Sequence, residues 1–111
     1  GRSIPTLVEV DFTLERSGVP PNDVLEACDA VEATDGLRFA GLMTLPPLTP
    51  DAEGARPFFA RLRELLERVR ERHPHASELS MGMSLDYQVA VEEGATMVRI
   101  GTALFGERPP R

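Results

Sequence analysis

Four short apolar runs, at residues 7–12, 37–45, 78–83 and 96–100, are separated by stretches whose apolar residues recur at helical spacing. Strand followed by helix, repeated this way within about 100 residues, predicts an α/β fold with a parallel sheet and right-handed crossovers. The first run, LVEVDF, alternates: Val8, Val10 and Phe12 share one face, and Leu7, Glu9 and Asp11 share the other. It reads as a strand with one partly polar face. The second, LRFAGLMTL, is nearly continuous in apolar character, as expected of a parallel strand covered on both faces.

The connections have their own signals. Ser17-Gly18 and Pro20-Pro21 mark a loop over 13–21, and Asn22 is a fair cap for a helix over 23–33, with Val24, Leu25, Cys28 and Val31 toward the sheet. Asp35-Gly36 ends it. Pro46, Pro47 and Pro50 make a loop after the second strand, and a long helix over 53–73 follows, in which Pro57 fits only in the first turn. Phe58, Leu62, Leu65 and Val69, flanked by Phe59 and Leu66, form its apolar stripe. Its arginine and glutamate face reads as solvated, including Glu64 and Arg68 at a spacing that adds about 0.2–0.5 kcal/mol. His73-Pro74 stops this helix. A short helix over 85–93, closed by Gly94 as its C′ residue, links the third and fourth strands.

With 111 residues, 41% hydrophobic and 27% charged, the chain reads as one soluble globular domain over 1–111. No apolar run approaches the roughly 18 to 20 residues that span a bilayer. The segment GRSIPTLVEV lacks a signal-peptide layout, so a cytoplasmic location is expected. A net charge of −6 without a basic stripe argues against nucleic acid and anionic membrane as partners. Cys28 stands alone, which excludes an internal disulfide and a cysteine cluster for zinc. All 12 basic residues are arginine. Without a lysine, these residues cannot complete a mechanism that needs a side-chain Schiff base.

The stretch at 79–106, LSMGMSLDYQVAVEEGATMVRIGTALFG, carries the candidate chemistry. Ser84 ends the third strand, and Gly101 and Thr102 end the fourth. In a parallel sheet these ends lie side by side, where two loops can hold one phosphate. Ser84 equally suits an N-cap. Arg99 on the fourth strand is either paired with Glu9 or Asp11 of the first strand or is a ligand acceptor, with the backbone of Gly101 open to close approach. Gly82 allows a similar approach. His73 and His75 lack a third metal ligand in sequence, Asp86 suits a first helical turn, and Met43, Met81 and Met83 read as core filler. No nucleophile triad, P-loop or dinucleotide fingerprint is present.

The run GLMTLPP at 41–47, RPFFARLREL in the long helix and the 79–106 stretch followed by Glu107 and Arg108 together resemble the carboxyl-terminal half of the pyridoxal-phosphate homeostasis proteins, relatives of the alanine-racemase barrel. The resemblance covers 7–108. It implies half of a (β/α)8 TIM-type barrel, with this chain supplying four parallel strands alternating with helices, strands five to eight. Its cofactor would be pyridoxal 5′-phosphate (PLP), the phosphate bound by Ser84, Gly101 and Thr102 and the pyridine nitrogen faced by Arg99. Arginine only donates, so that nitrogen stays unprotonated and the ring is a poorer electron sink, which fits a binder and carrier better than a racemase.

The family's Schiff-base lysine belongs to the other half. Four strands leave two unpaired edges and an open inner face. The partner expected is therefore the lysine-bearing amino-terminal half, or a second copy, or else the chain is a fragment. Two competing readings stand beside this one: a noncatalytic phosphate-anion binding or assembly module, and part of an alanine-racemase-like enzyme. The second needs another acid/base residue, for which Tyr87 is the only tyrosine.

Overall fold

The computed structural model describes residues 4–13, 18–46, 51–83 and 86–99. Four strands, β1 (Ile4–Val10), β2 (Leu37–Thr44), β3 (Glu78–Met83) and the short β4 (Met97–Arg99), alternate with three helices, α1 (Val24–Glu32), α2 (Arg56–Val69) and α3 (Tyr87–Glu92). All three strand pairings are parallel and the spatial order is β1-β2-β3-β4. A sheet whose order never reverses has no topological switch point, so right-handed crossovers put every helix on the same face. A single core forms there. Val8, Val10, Phe39, Leu42, Leu79 and Met81 from the sheet meet Val24 and Cys28 of α1, Phe59, Leu62, Leu65, Leu66 and Val69 of α2, and Val89 and Ala90 of α3.

The residues between those core positions belong to the other face, because successive strand side chains alternate. Glu9, Met43, Ser80 and Met97 are mutual register partners and so form one row across all four strands. No helix among the described residues covers that row. Met97 at its end is 41% exposed.

Two irregularities bend the sheet. Between β1 and β2 the register skips Ala40, and a Cβ on Gly41 would lie 2.0 Å from the Glu78 carbonyl oxygen. Only glycine lets β3 come this close to β2. A second shift falls between Ser80 and Met83 against β4. Such bulges bend the strand locally and increase its twist.

The expected elements are all present, with shifted ends. β1 begins at Ile4 and stops at Val10, so Phe12 lies in a bend and packs on Phe58 with ring centroids 6.2 Å apart. Asn22 is inside a 3₁₀ turn (Pro21–Asp23) rather than capping α1. Leu25, expected against the sheet, is on the outside of α1 at 37% exposure, because the inward stripe follows Val24 and Cys28 one turn apart. A 3₁₀ turn (Ala52–Ala55), closed by the Asp51 carboxylate accepting from the Gly54 N–H, precedes α2, and Pro57 sits in the first turn where its missing N–H costs nothing. Gly94 (φ +106°) ends α3, with the Ala95 N–H reaching back to the Ala90 carbonyl. That is the C′ role its sequence position predicts.

Candidate functional site

The carboxyl ends of the strands are where loops of a parallel sheet gather. Asp11, directly after β1, is only 4% exposed, and its Oδ1 accepts from both the Thr13 N–H (3.0 Å) and the Thr13 hydroxyl (2.9 Å). The chain then returns along the free edge of β1: Asp11 N–H donates to the Val19 carbonyl and Val19 N–H to the Glu9 carbonyl, at 2.9 and 2.8 Å. Gly18 makes this return possible, since a Cβ there would lie 2.9 Å from Cγ of Glu9. Pro5 falls on the same open edge, two pleats earlier, where a strand tolerates a missing N–H. Edge protection and site construction thus share one loop.

Beside it, the buried Thr44 hydroxyl donates to the Val10 carbonyl at 2.8 Å, tying the ends of β1 and β2 together. Phe12 is covered by Phe58 and by the Arg61 guanidinium, 4.4 Å above its ring. Gly82 (φ +100°) lies near the end of β3, and Met83 is in register with Arg99 at the end of β4. The described part of this end offers one buried carboxylate and two threonine hydroxyls, and hydrogen bonds already engage all three groups.

Of the residues expected to form the site, Arg99 is placed by its backbone at the carboxyl end of β4, two residues past Met97. Its side chain, Ser84, Gly101 and Thr102 lie outside the described residues. Glu9 and Asp11, the alternative partners considered for Arg99, belong to the opposite edge strand, three strand spacings of about 4.8 Å away along the sheet. His73 and His75 are at the other end of the sheet, each with a single carboxylate partner, and among the described residues no group of three ligands suits a metal. Asp86 stands just before α3. Asp11 and Thr44 are the residues that pattern reading undervalued. Their burial depends on the returning loop and the neighbouring strand, neither of which local alternation reveals.

The alanine racemase N-terminal domain model matches residues 1–109. The chain belongs to the alanine racemase N-terminal domain family. Within it, the chain is 46% identical over 105 residues to a pyridoxal phosphate homeostasis protein of Aquifex aeolicus, covering 92% of this chain and 46% of that protein. It is 37% identical to the Vibrio cholerae protein of the same name, with 95% and 45% covered. Among solved structures, PipY of Synechococcus elongatus with PLP bound superposes with a TM-score of 0.81 at 34% identity, over 95% of this chain and 50% of PipY. A protein from Bifidobacterium adolescentis gives 0.84 at 31% identity, over 94% of this chain and 44% of that one. The chain therefore spans about half the length of the relatives it matches. These matches show the family and a half-length share of it; they do not show a carboxyl-terminal half.

Proposed function

We propose that the chain is half of a PLP-binding (β/α)8 barrel, strands five to eight, serving PLP homeostasis in the cytoplasm as a binder and carrier without turnover of its own. The observation that carries this reading is the unbroken parallel order β1-β2-β3-β4 with its helices on one face, in a chain 34% identical to a structure solved with PLP bound. Singly wound order is what a closed barrel requires, and it leaves the opposite face for the barrel interior. The choice of the second half rests on the 79–106 stretch, with its resemblance to the last strand–helix–strand unit of the homeostasis proteins.

In this reading Ser84, Gly101 and Thr102 hold the phosphate, and Arg99 donates to the pyridine nitrogen. When bound, PLP supplies an electrophilic aldehyde. The chain's own contribution is noncovalent, because it contains no lysine to bond that carbon. Asp11 and Thr44 brace the loops beside the site through Thr13 and Val10. A lysine-bearing first half, or a second copy of this chain, would close the sheet along the edges of β1 and β4. A racemase reading is less favoured. The sole tyrosine, Tyr87, belongs to α3 in the outer layer at 38% exposure, away from the inner row of the sheet.

PLP titration of the purified protein, followed by absorbance with and without a lysine-bearing first half, tests the proposal. Saturable binding is expected, with a borohydride-sensitive band only when the lysine is present. Arg99→Ala should weaken binding by about tenfold or more. Unchanged affinity in that variant would remove Arg99 from the site. Competition by inorganic phosphate as strong as that by PLP would favour a general anion-binding module.

A further inference from the structure

At the amino-terminal ends of the strands, opposite the candidate cofactor end, a polar network joins α1 to the turn between α2 and β3. Asp29 and Glu32 lie three residues apart on α1. Asp29 Oδ1 is 2.7 Å from His73 Nε2, and its other oxygen takes Arg72. Glu32 Oε1 accepts the Phe39 N–H at 3.1 Å, and Oε2 is 3.1 Å from His75 Nε2. An ionised carboxylate only accepts, so each histidine presents an N–H at Nε2.

His73 is 7% exposed and stands edge-on to Phe39 at 5.3 Å, with the His75 ring 6.3 Å away. The Arg70 guanidinium donates to the Pro74 carbonyl at 3.2 Å and stiffens the turn that carries both histidines. The groups facing the two histidines are thus Asp29 and Glu32 from α1, Arg72 from the turn, and the amide and ring of Phe39 from β2. Pairing of β2 with β3 begins only at Gly41, so the Phe39 N–H lies below the first rung of that ladder.

We propose that these two rungs are an acid-released latch: ionised Asp29 and Glu32 clamp the end of α1 to the α2–β3 turn and to β2, and their protonation lets α1 lift from the sheet before the rest of the core unfolds. The apolar attachment of α1 consists of the fully covered Val24 and Cys28 with Ala27 and Val31 half-buried beside them, fewer fully buried side chains than the five of α2. Segments with fewer buried side chains are the ones that open locally first.

The sign follows from the partners. The His73 hydrogen bond, helped by Arg72, holds the Asp29 carboxyl below its ordinary value. The Phe39 N–H, helped by His75, does the same for Glu32. Groups held low in the folded chain contribute fully above their unfolded values and lose that contribution as acid titrates them, here below about pH 4.

Cys28 is the built-in reporter. It adjoins Asp29, is fully covered, and has its thiol pushed up to about 12 by burial first and by the Asp29 charge second. It is also the chain's only thiol.

The test is the labelling rate of Cys28 with 4,4′-dithiodipyridine from pH 7 to 3, divided by the rate in the urea-unfolded chain at the same pH, with far-UV circular dichroism recorded in parallel. The normalised rate should rise at least about tenfold between pH 5 and 3 while the dichroism signal holds. Asp29→Asn and Glu32→Gln should label faster at pH 7 and lose the acid response. A flat wild-type profile, a rise only in step with loss of dichroism, or folded variants that label like wild type would each overturn the latch. The wild-type profile decides the matter alone if the variants do not fold.

Discussion

α1 and α2 pack on the same face of the same sheet and are held there by different physics. α2 runs for 14 residues and buries Phe59, Leu62, Leu65, Leu66 and Val69, an apolar stripe held against the sheet chiefly by water-to-core transfer. α1 runs for nine, buries two, and completes its attachment with charged hydrogen bonds to residues more than 40 positions away. Apolar attachment has no charge to titrate or to screen. Attachment through carboxylates is conditional on their charge, so the difference separates a permanent wall of the core from a removable one.

The largest effect should come from Phe59→Ala, which empties a fully buried site between α2 and the sheet and should cost about 3–5 kcal/mol. Urea unfolding monitored by dichroism should show the midpoint falling for the whole molecule in one transition. A variant that loses only α1 signal would contradict the assignment of α2 as the wall.

Val24→Ala breaks the comparison from the other side. Removing two buried methyl groups under α1 should cost about 2 kcal/mol, less than Phe59→Ala. Amide exchange should rise mainly in residues 24–32. If α2 amides exchange faster to the same degree, the two helices form one cooperative unit.

The smallest expected effect concerns the polar contact between α2 and α3. Arg56 meets Glu53, Glu92 and Glu93 at 2.8, 2.6 and 2.8 Å, and Glu93 also takes Arg63 at 2.8 Å. Those carboxylates raise the Arg56 guanidinium further above its ordinary range, Glu53 first. The cluster is nevertheless at the surface, where solvent weakens each pair. Arg56→Ala should lower stability only slightly, less than either core variant, and the loss should shrink when unfolding is repeated in 1 M salt. A larger, salt-independent loss would mean that packing of the arginine stem carries the contact.

Much of the architecture was open to inspection in the chain itself. Short apolar runs, alternating in the first strand and nearly continuous in the second, pointed to the strands, the stripe from Phe58 to Val69 to α2, and Gly94 and Pro57 to helix ends, because each signal depends on neighbours within one or two turns. Boundaries moved where a distant partner intervened: β1 stops at Val10, where its pairing with β2 ends at Thr44. The candidate site was less legible. Its proposed residues were singled out as a motif, but the bracing by Asp11 and Thr44 was not, since a hydroxyl 34 positions along the chain is invisible to local patterning.

The sequence by itself determined the alternation of strands and helices, the absence of any lysine side chain among these residues, and the apolar side of α2. Only the tertiary structure decided which strands are neighbours, that the helices share one face, that Gly41 must be bare for β3 to approach, and that the buried His73 ring is bonded to Asp29 rather than simply ending a helix. The physical reason is range. Propensity and periodicity act between residues a few positions apart, whereas close approach, desolvation and ion pairing depend on chain segments that meet only after the sheet has formed.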